Sequence, residues 1–169
     1  MTLRFGILTI SDRSARGERP DSAGPALAEI IQSHGWQVIR RGLVPDDFTA
    51  IETTLRQWIS SGELDVLLTT GGTGFSPRDI TPEATRRVIE RPAPGLAEAM
   101  RAAGMQKTPH AMLSRGEAGI CEKTLLINLP GSPKGAAESL GAILPVLEHA
   151  IHLLQDHPQA EREHHATVA

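Results

Sequence analysis

Hydrophobic positions along the chain alternate between strand-like runs and helix-spaced stripes. Residues 3–10 are almost continuously apolar, broken by Arg4, Gly6 and Thr9, which predicts a strand covered on both faces, as in a parallel sheet. Residues 36–44, 64–69 and 124–129 read as further strands. Between them the spacing becomes helical. Pro25 opens and Gly35 closes a helix over 25–34. Asp46 or Asp47 can cap the next, whose Phe48, Ile51, Leu55, Trp58 and Ile59 share one face. Thr81 is placed as the cap of another, with Pro82 in its first position and Glu83 at its positive end. Residues 96–103 are helical. A last helix over 136–155 turns Leu140, Ile143, Leu144, Leu147, Ile151 and Leu154 inward, and Pro145 is expected to kink it. Residues 11–24 read as a long polar loop, and 108–123 are ambiguous, with short strands around a Ser114-Arg115-Gly116 turn as one reading.

This alternation predicts one doubly wound α/β domain with a mostly parallel sheet over residues 1–155, followed by a polar, frayed tail at 156–169. Ligands of such folds sit beyond the carboxyl ends of the strands. The loops holding Ser11-Asp12-Arg13, Gly71 to Asp79, and Pro130 to Lys134 should therefore converge on one edge.

Composition narrows the function classes. The chain has 169 residues, a net charge of −3, and only 3% aromatics with no tyrosine. A nucleic-acid coat or an anionic membrane surface calls for a basic excess, and a base-stacking platform calls for aromatics. No nucleic-acid or membrane partner is expected. Cys121 is the single cysteine, so an internal disulfide is excluded and a buried apolar role is expected. The N-terminus runs straight into a strand without a signal-like stretch, and no apolar run approaches a membrane span. A cytoplasmic protein is the expectation.

The chemistry-bearing residues cluster at strand ends. Gly71-Gly72-Thr73-Gly74 follows a strand directly, and glycines there let backbone N–H groups approach a phosphate. The stretch fits neither a P-loop nor a dinucleotide fingerprint, and a tight structural turn stays open. Arg78 offers a planar fork for phosphate oxygens and Asp79 a hard carboxylate for Mg²⁺. A solvated Arg78–Asp79 pair is the plainer alternative. One of Asp46 and Asp47 suffices as a cap, which frees Asp46 to serve as a second acidic group if it reaches the glycine loop. Pro130-Gly131-Ser132-Pro133-Lys134 combines rigid prolines with Ser and Lys donors, or is simply a stiff connection. Ser114 and Arg115 offer further polar donors on a turn. Among the 7 histidines, His149 and His152 share a helix face without a completing acidic residue, so surface positions are expected.

Together these stretches resemble the molybdopterin adenylyltransferase family. The resemblance rests on Ile10-Ser11-Asp12-Arg13, Val44-Pro45-Asp46, Thr69-Thr70-Gly71-Gly72-Thr73-Gly74, Arg78-Asp79-Ile80-Thr81-Pro82-Glu83-Ala84-Thr85, Leu113-Ser114-Arg115-Gly116 and Asn128-Leu129-Pro130-Gly131-Ser132-Pro133-Lys134. It implies a three-layer fold, assembled as a homotrimer or a hexamer, that adenylylates molybdopterin with ATP and Mg²⁺ in molybdenum cofactor biosynthesis. It further implies Asp79 and Asp46 as catalytic carboxylates holding Mg²⁺. Gly71, Gly72, Thr73 and Gly74 would contact the nucleotide phosphates, with Ser11 and Arg78 on the same side. Ser114, Pro130, Gly131 and Ser132 would face the pterin. A separate molybdate-inserting protein would take the product. The alternative is a non-catalytic pterin-binding or scaffold protein of the same fold, and a second rival is a nucleotide hydrolase on that fold.

Overall fold

The computed structural model describes residues 2–157. Six strands form one sheet in the order β2-β1-β3-β6-β5-β4. β1 (Arg4–Ile10), β2 (Gln37–Val44), β3 (Val66–Thr70) and β6 (Thr124–Leu129) run parallel, while β5 (Ala118–Cys121) and the two-residue β4 (Arg91–Pro92) extend the sheet antiparallel. The apolar runs lie in the parallel centre, because a strand there has no face left for water. Edge strand β2 is different: its residues alternate between exposed and half-buried.

Side-chain alternation divides the core in two. Phe5, Ile7, Val66, Leu68, Leu125, Ile127 and Leu129 pack on one face against α2 (Ala23–Ser33), α5 (Pro94–Met105) and α6 (Pro133–Leu154). Leu8, Ile10, Leu67 and Leu126 pack on the other against α3 (Phe48–Ser60) and α4 (Thr81–Val88). The result is the three-layer, doubly wound architecture. Trp58 of α3 lies against two glycines of the sheet, where a Cβ on Gly6 or Gly42 would come within 3.2 Å or 2.8 Å of its ring.

Several boundaries differ from the sequence reading, each for a local reason. The expected 11–24 loop holds a short helix, α1 (Asp12–Ala15), capped by the Ser11 side chain. α2 starts ahead of Pro25, where Asp21 accepts from Gly24 N at 3.0 Å. α6 begins at Pro133 because Ser132 caps it, and it continues as one helix through Pro145. Thr81 is not the cap of α4; Ile80 holds that position, and the Thr81 hydroxyl donates instead to the Gly71 carbonyl at 2.9 Å. Asp47, not Asp46, caps α3. The ambiguous 108–123 segment resolves into a 3₁₀ turn at Pro109–Leu113, capped by Thr108, and strand β5. His152 is buried, 3% exposed, contrary to the expectation of a surface histidine. Its ring stacks on His157. Apart from Asp156 and His157, the expected tail lies outside the described residues.

Candidate functional site

Strand register decides where the loops emerge. Ile10 pairs with Val44, Thr9 with Thr70, and Thr70 with Leu129, so four parallel strands end almost level. The chain leaves β1 for β2 on one side and returns to β3 on the other. That reversal opens a crevice at the carboxyl ends of β1 and β3. The three loops predicted to converge do so there.

Asp12 and Asp46 lock the loop after β1 to the loop after β2. Asp12 N donates to the Asp46 carboxylate at 2.8 Å, and Asp46 N donates to the Asp12 carboxylate at 3.0 Å. Arg78 then reaches across from the loop after β3 and grips Asp12 in a fork, Nε at 2.9 Å and Nη2 at 3.1 Å. The Arg78–Asp79 pair considered from sequence is replaced by this longer-range one. Asp79 instead accepts from Ser76 N at 2.9 Å, closing its own turn.

The glycines are forced by contact. Gly71 has φ +106°, and a Cβ there would lie 2.1 Å from the Ile10 carbonyl oxygen. Gly72 has φ +64°, and its Cβ would lie 2.3 Å from Thr81 Oγ1 and 3.0 Å from Asp46 Oδ1. A Cβ on Gly74 would meet Asp79 Oδ2 at 2.9 Å. The two carboxylates thus face the same glycine loop.

Charge around the loop is uneven. Desolvation pushes the Asp46 carboxyl above the usual aspartate range, and the charges of Asp12 and Asp79 push the same way against the Asp12 N–H bond. Desolvation also acts upward on Asp12, but the Arg78 fork and the Asp46 N–H outweigh it and hold Asp12 below the usual range. Burial raises the Cys121 thiol, with Glu90 and Glu122 adding to the effect, so it stays protonated as a core residue should.

Two clefts meet at this loop. One, about 620 Å³, is lined by Ser11, Asp12, Arg13, Arg16, Arg19, Asp46, Gly71, Arg78 and Ser132. The other, about 460 Å³, is lined by Thr73, Gly74, Met100, Arg101, His110, Leu113, Ser114, Asn128 and Pro130. Gly72, Asp79 and Gly131 border both. The structure brings Ser11, Asp46, Gly71, Gly72, Thr73, Gly74, Arg78, Asp79, Ser114, Pro130, Gly131 and Ser132 to these clefts, but sorts them differently from the sequence reading: Ser132 borders the arginine-lined cleft, while Thr73 and Gly74 border the cleft that holds Ser114. Lys134 lies exposed outside both. Arg115 also lines neither.

Sequence reasoning missed Arg19, Met100, Arg101 and His110. Arg101 donates to the Ser114 and Gly116 carbonyls at 3.3 Å and 3.1 Å, and no motif marks it. Asp12 had a signal, its place directly after β1. Among the described residues no group of three or more His, Cys, Asp or Glu side chains is arranged to hold a metal ion, and no helix is long and apolar enough to cross a membrane.

A family model described as a probable molybdopterin binding domain matches residues 6–149. The chain belongs to this family. Among its relatives is the molybdopterin adenylyltransferase, a nucleotidyltransferase by name, of Helicobacter pylori, 38% identical over 155 residues that cover 90% of this chain and 88% of that protein. The molybdenum cofactor synthesis protein cinnamon of Drosophila melanogaster is 42% identical over 168 residues, 99% of this chain but 28% of the relative. The family member therefore spans little more than a quarter of that longer protein. Among solved structures, the molybdopterin biosynthesis enzyme MoaB of Thermus thermophilus superposes with a TM-score of 0.88 at 52% identity, covering 93% of this chain and 99% of its own.

Proposed function

We propose that this protein is a molybdopterin adenylyltransferase, which uses ATP and Mg²⁺ to place AMP on the terminal phosphate of molybdopterin and releases pyrophosphate. One observation carries the reading: the two clefts share Gly72, Asp79 and Gly131 as a common wall. Adenylyl transfer calls for two anions held on opposite sides of one phosphorus. In this reading the arginine-lined cleft takes the ATP phosphates beside Ser11, Gly71, Arg78 and Ser132. The other takes the pterin against Met100, Leu113, Ser114 and Pro130. Thr73 and Gly74 approach the transferred phosphate from the pterin side.

The chemistry asks little covalent help of the protein. An oxygen of the pterin phosphate bonds to the α-phosphorus of ATP, and the bond from that phosphorus to the β-phosphate oxygen breaks with its electron pair leaving on pyrophosphate. The nucleophile is already an anion, so a general base is unnecessary. What the site must supply is positioning and neutralisation. Asp46 and Asp79 fit a divalent cation: both face the glycine loop, and burial together with the neighbouring negative charge raises the Asp46 carboxyl. Mg²⁺ typically takes only one or two protein carboxylates beside phosphate oxygens and water. Held by this pair, it would neutralise charge on the phosphates. Arg78, paired to Asp12, keeps the loops after β1 and β3 in register around that position.

A homotrimeric assembly, transfer of the product to a separate molybdate-inserting protein, and a cytoplasmic location belong to the same proposal.

The test is turnover. Purified protein, molybdopterin, ATP and Mg²⁺ are mixed, and pyrophosphate and adenylylated pterin are followed, with Asp79→Asn alongside. Product from the wild type and a loss of about 10²–10³-fold in the variant is the expected outcome. Pterin binding without product from either protein would leave a binding protein on the same fold.

A further inference from the structure

Arg115 stands at the back of the site, and its environment is unusual for a residue in a polar turn. Its neighbours Ser114 and Gly116 line the pterin-side cleft, whereas Arg115 lines neither cleft. The side chain reaches behind the glycine loop and spends all three guanidinium nitrogens there. Nε donates to the Gly74 carbonyl at 2.7 Å, Nη2 to the Asp79 carbonyl, and Nη1 to Glu83. Arg115 N adds a bond to the Thr73 carbonyl at 2.9 Å. Three successive parts of the catalytic loop, Thr73, Gly74 and Asp79, are therefore tied to one residue. Desolvation acts upward on Glu83, but the Arg115 contact outweighs it and holds that carboxyl low, so the anchor remains charged.

The two ends of this clasp belong to different clefts. Asp79 lies on the shared wall, and the 114–116 turn belongs to the pterin side, where Arg101 of the same cleft holds the Ser114 and Gly116 carbonyls. A planar fork fixes two carbonyls and a carboxylate at once, which a lysine ammonium cannot reproduce.

We propose that Arg115 is the positioning residue of the reaction: it fixes the Asp79 main chain relative to Ser114, so that the metal carboxylate and the pterin wall keep one geometry. This rests on the adenylyltransferase reading for its effect on rate and on Asp79 as a metal carboxylate for its effect on metal affinity, which is measured without turnover.

The test uses Arg115→Lys and Arg115→Ala in the full chain, with Glu83→Gln as a milder variant that leaves both carbonyl contacts available. Five quantities are measured: Mn²⁺ affinity by titration calorimetry in the presence of an unreactive ATP analogue, pterin affinity, kcat and KM for adenylylation, and Tm. Both Arg115 variants should lose about 10–100-fold in Mn²⁺ affinity and kcat, the range seen when a partner that orients a metal ligand is removed. Pterin affinity should change less than about threefold, and Glu83→Gln should stay within about threefold of wild type throughout. Unchanged Mn²⁺ affinity in Arg115→Lys overturns the proposal, as does a parallel loss of pterin affinity, metal affinity and Tm, which would mark a purely structural residue. Should Arg115→Ala fail to fold, Arg115→Lys and Glu83→Gln still decide. A wild type that binds Mn²⁺ but makes no product would refute the adenylyltransferase reading, and the Mn²⁺ affinities alone would then decide the role of Arg115.

Discussion

Asp12 and Asp46 exchange hydrogen bonds, each backbone N–H donating to the other's carboxylate, at 2.8 Å and 3.0 Å. The exchange fastens the loop after β1 to the loop after β2, residues separated by 34 positions in the chain. Asp12→Asn keeps an oxygen for Asp46 N and loses its charge and the second acceptor oxygen toward Arg78, whose side chain is 64% exposed. Exposed ion pairs contribute little, so that change should cost at most about 1 kcal/mol. Asp12→Ala removes the acceptor and should cost about 1–3 kcal/mol. Urea unfolding of both variants separates the two contributions.

At Asp46 the proposed metal role and folding stability would oppose each other. Its folded-state carboxyl titrates above the usual aspartate value through desolvation and the charges of Asp12 and Asp79. The folded state therefore binds the proton more tightly than the unfolded chain, and Asp46's contribution to stability falls as pH rises from the ordinary aspartate value through its raised one. Asp46→Asn should remove that decline. Without Mg²⁺ the variant should melt about 1–3 °C above wild type at neutral pH, with the gap closing in acid. Adenylylation should drop at least about 100-fold. A pH series of melting curves read beside pyrophosphate release gives both results.

Asp12 carries the opposite sign. Despite the upward pull of desolvation, Arg78 and the Asp46 N–H hold its carboxyl below the usual range. Its contribution is present above the ordinary aspartate value and is lost as pH falls through the lowered one. Arg78→Gln should weaken that acid-side loss, so the pH dependence of unfolding below the ordinary aspartate value should become shallower than in wild type.

Gly71 and Gly17 both have positive φ, +106° and +72°, but only Gly71 is crowded. A Cβ at Gly17 meets nothing within 4 Å, whereas at Gly71 it would lie 2.1 Å from a backbone oxygen. Gly17→Ala should cost about 1–2 kcal/mol from backbone conformation alone. Gly71→Ala must displace β1 from the glycine loop and should cost about 3 kcal/mol or more. Chemical denaturation of the pair measures the added cost at Gly71, where a more positive φ and the backbone contact act together.

Asn128 is buried behind the same loop and fully used. Its amide donates to Thr69 Oγ1 at 2.9 Å and Thr85 Oγ1 at 2.8 Å, and accepts from Glu117 N at 3.1 Å. Asn128→Ala strips partners from all three and should destabilise by about 2–4 kcal/mol. A variant with wild-type stability would show that water replaces the amide without loss.

How much of this fold is legible in the sequence depends on distance along the chain. The long strands and amphipathic helices announce themselves, because β1, β3 and β6 lie in the sheet interior and α3 buries Ile51, Leu55 and Ile59 at helical spacing. Helix starts are harder. Ser132 and Asp21 act on backbone N–H groups within three residues, yet several neighbouring Ser, Thr and Asp side chains could have served as well. β4 and β5 carry too few residues for a period to register, and the pairing of β5 with β6 and of β4 with β5 is supplied by partners elsewhere in the chain.

Apolar spacing and the strand-end motifs suffice to define a doubly wound α/β chain and to point at Asp46, Asp79, the glycine loop, Ser114 and the Pro130 turn, since both kinds of signal are local. Three relationships lie beyond them. Arg78 pairs with Asp12 across 66 residues rather than with its neighbour Asp79, Arg115 turns away from the clefts to hold the glycine loop, and Ser132 and Ser114 border different clefts. Each depends on strand order and on the level at which β1, β2, β3 and β6 end. A side chain in a loop has many partners of suitable chemistry, and only the packed sheet brings one of them within hydrogen-bonding distance.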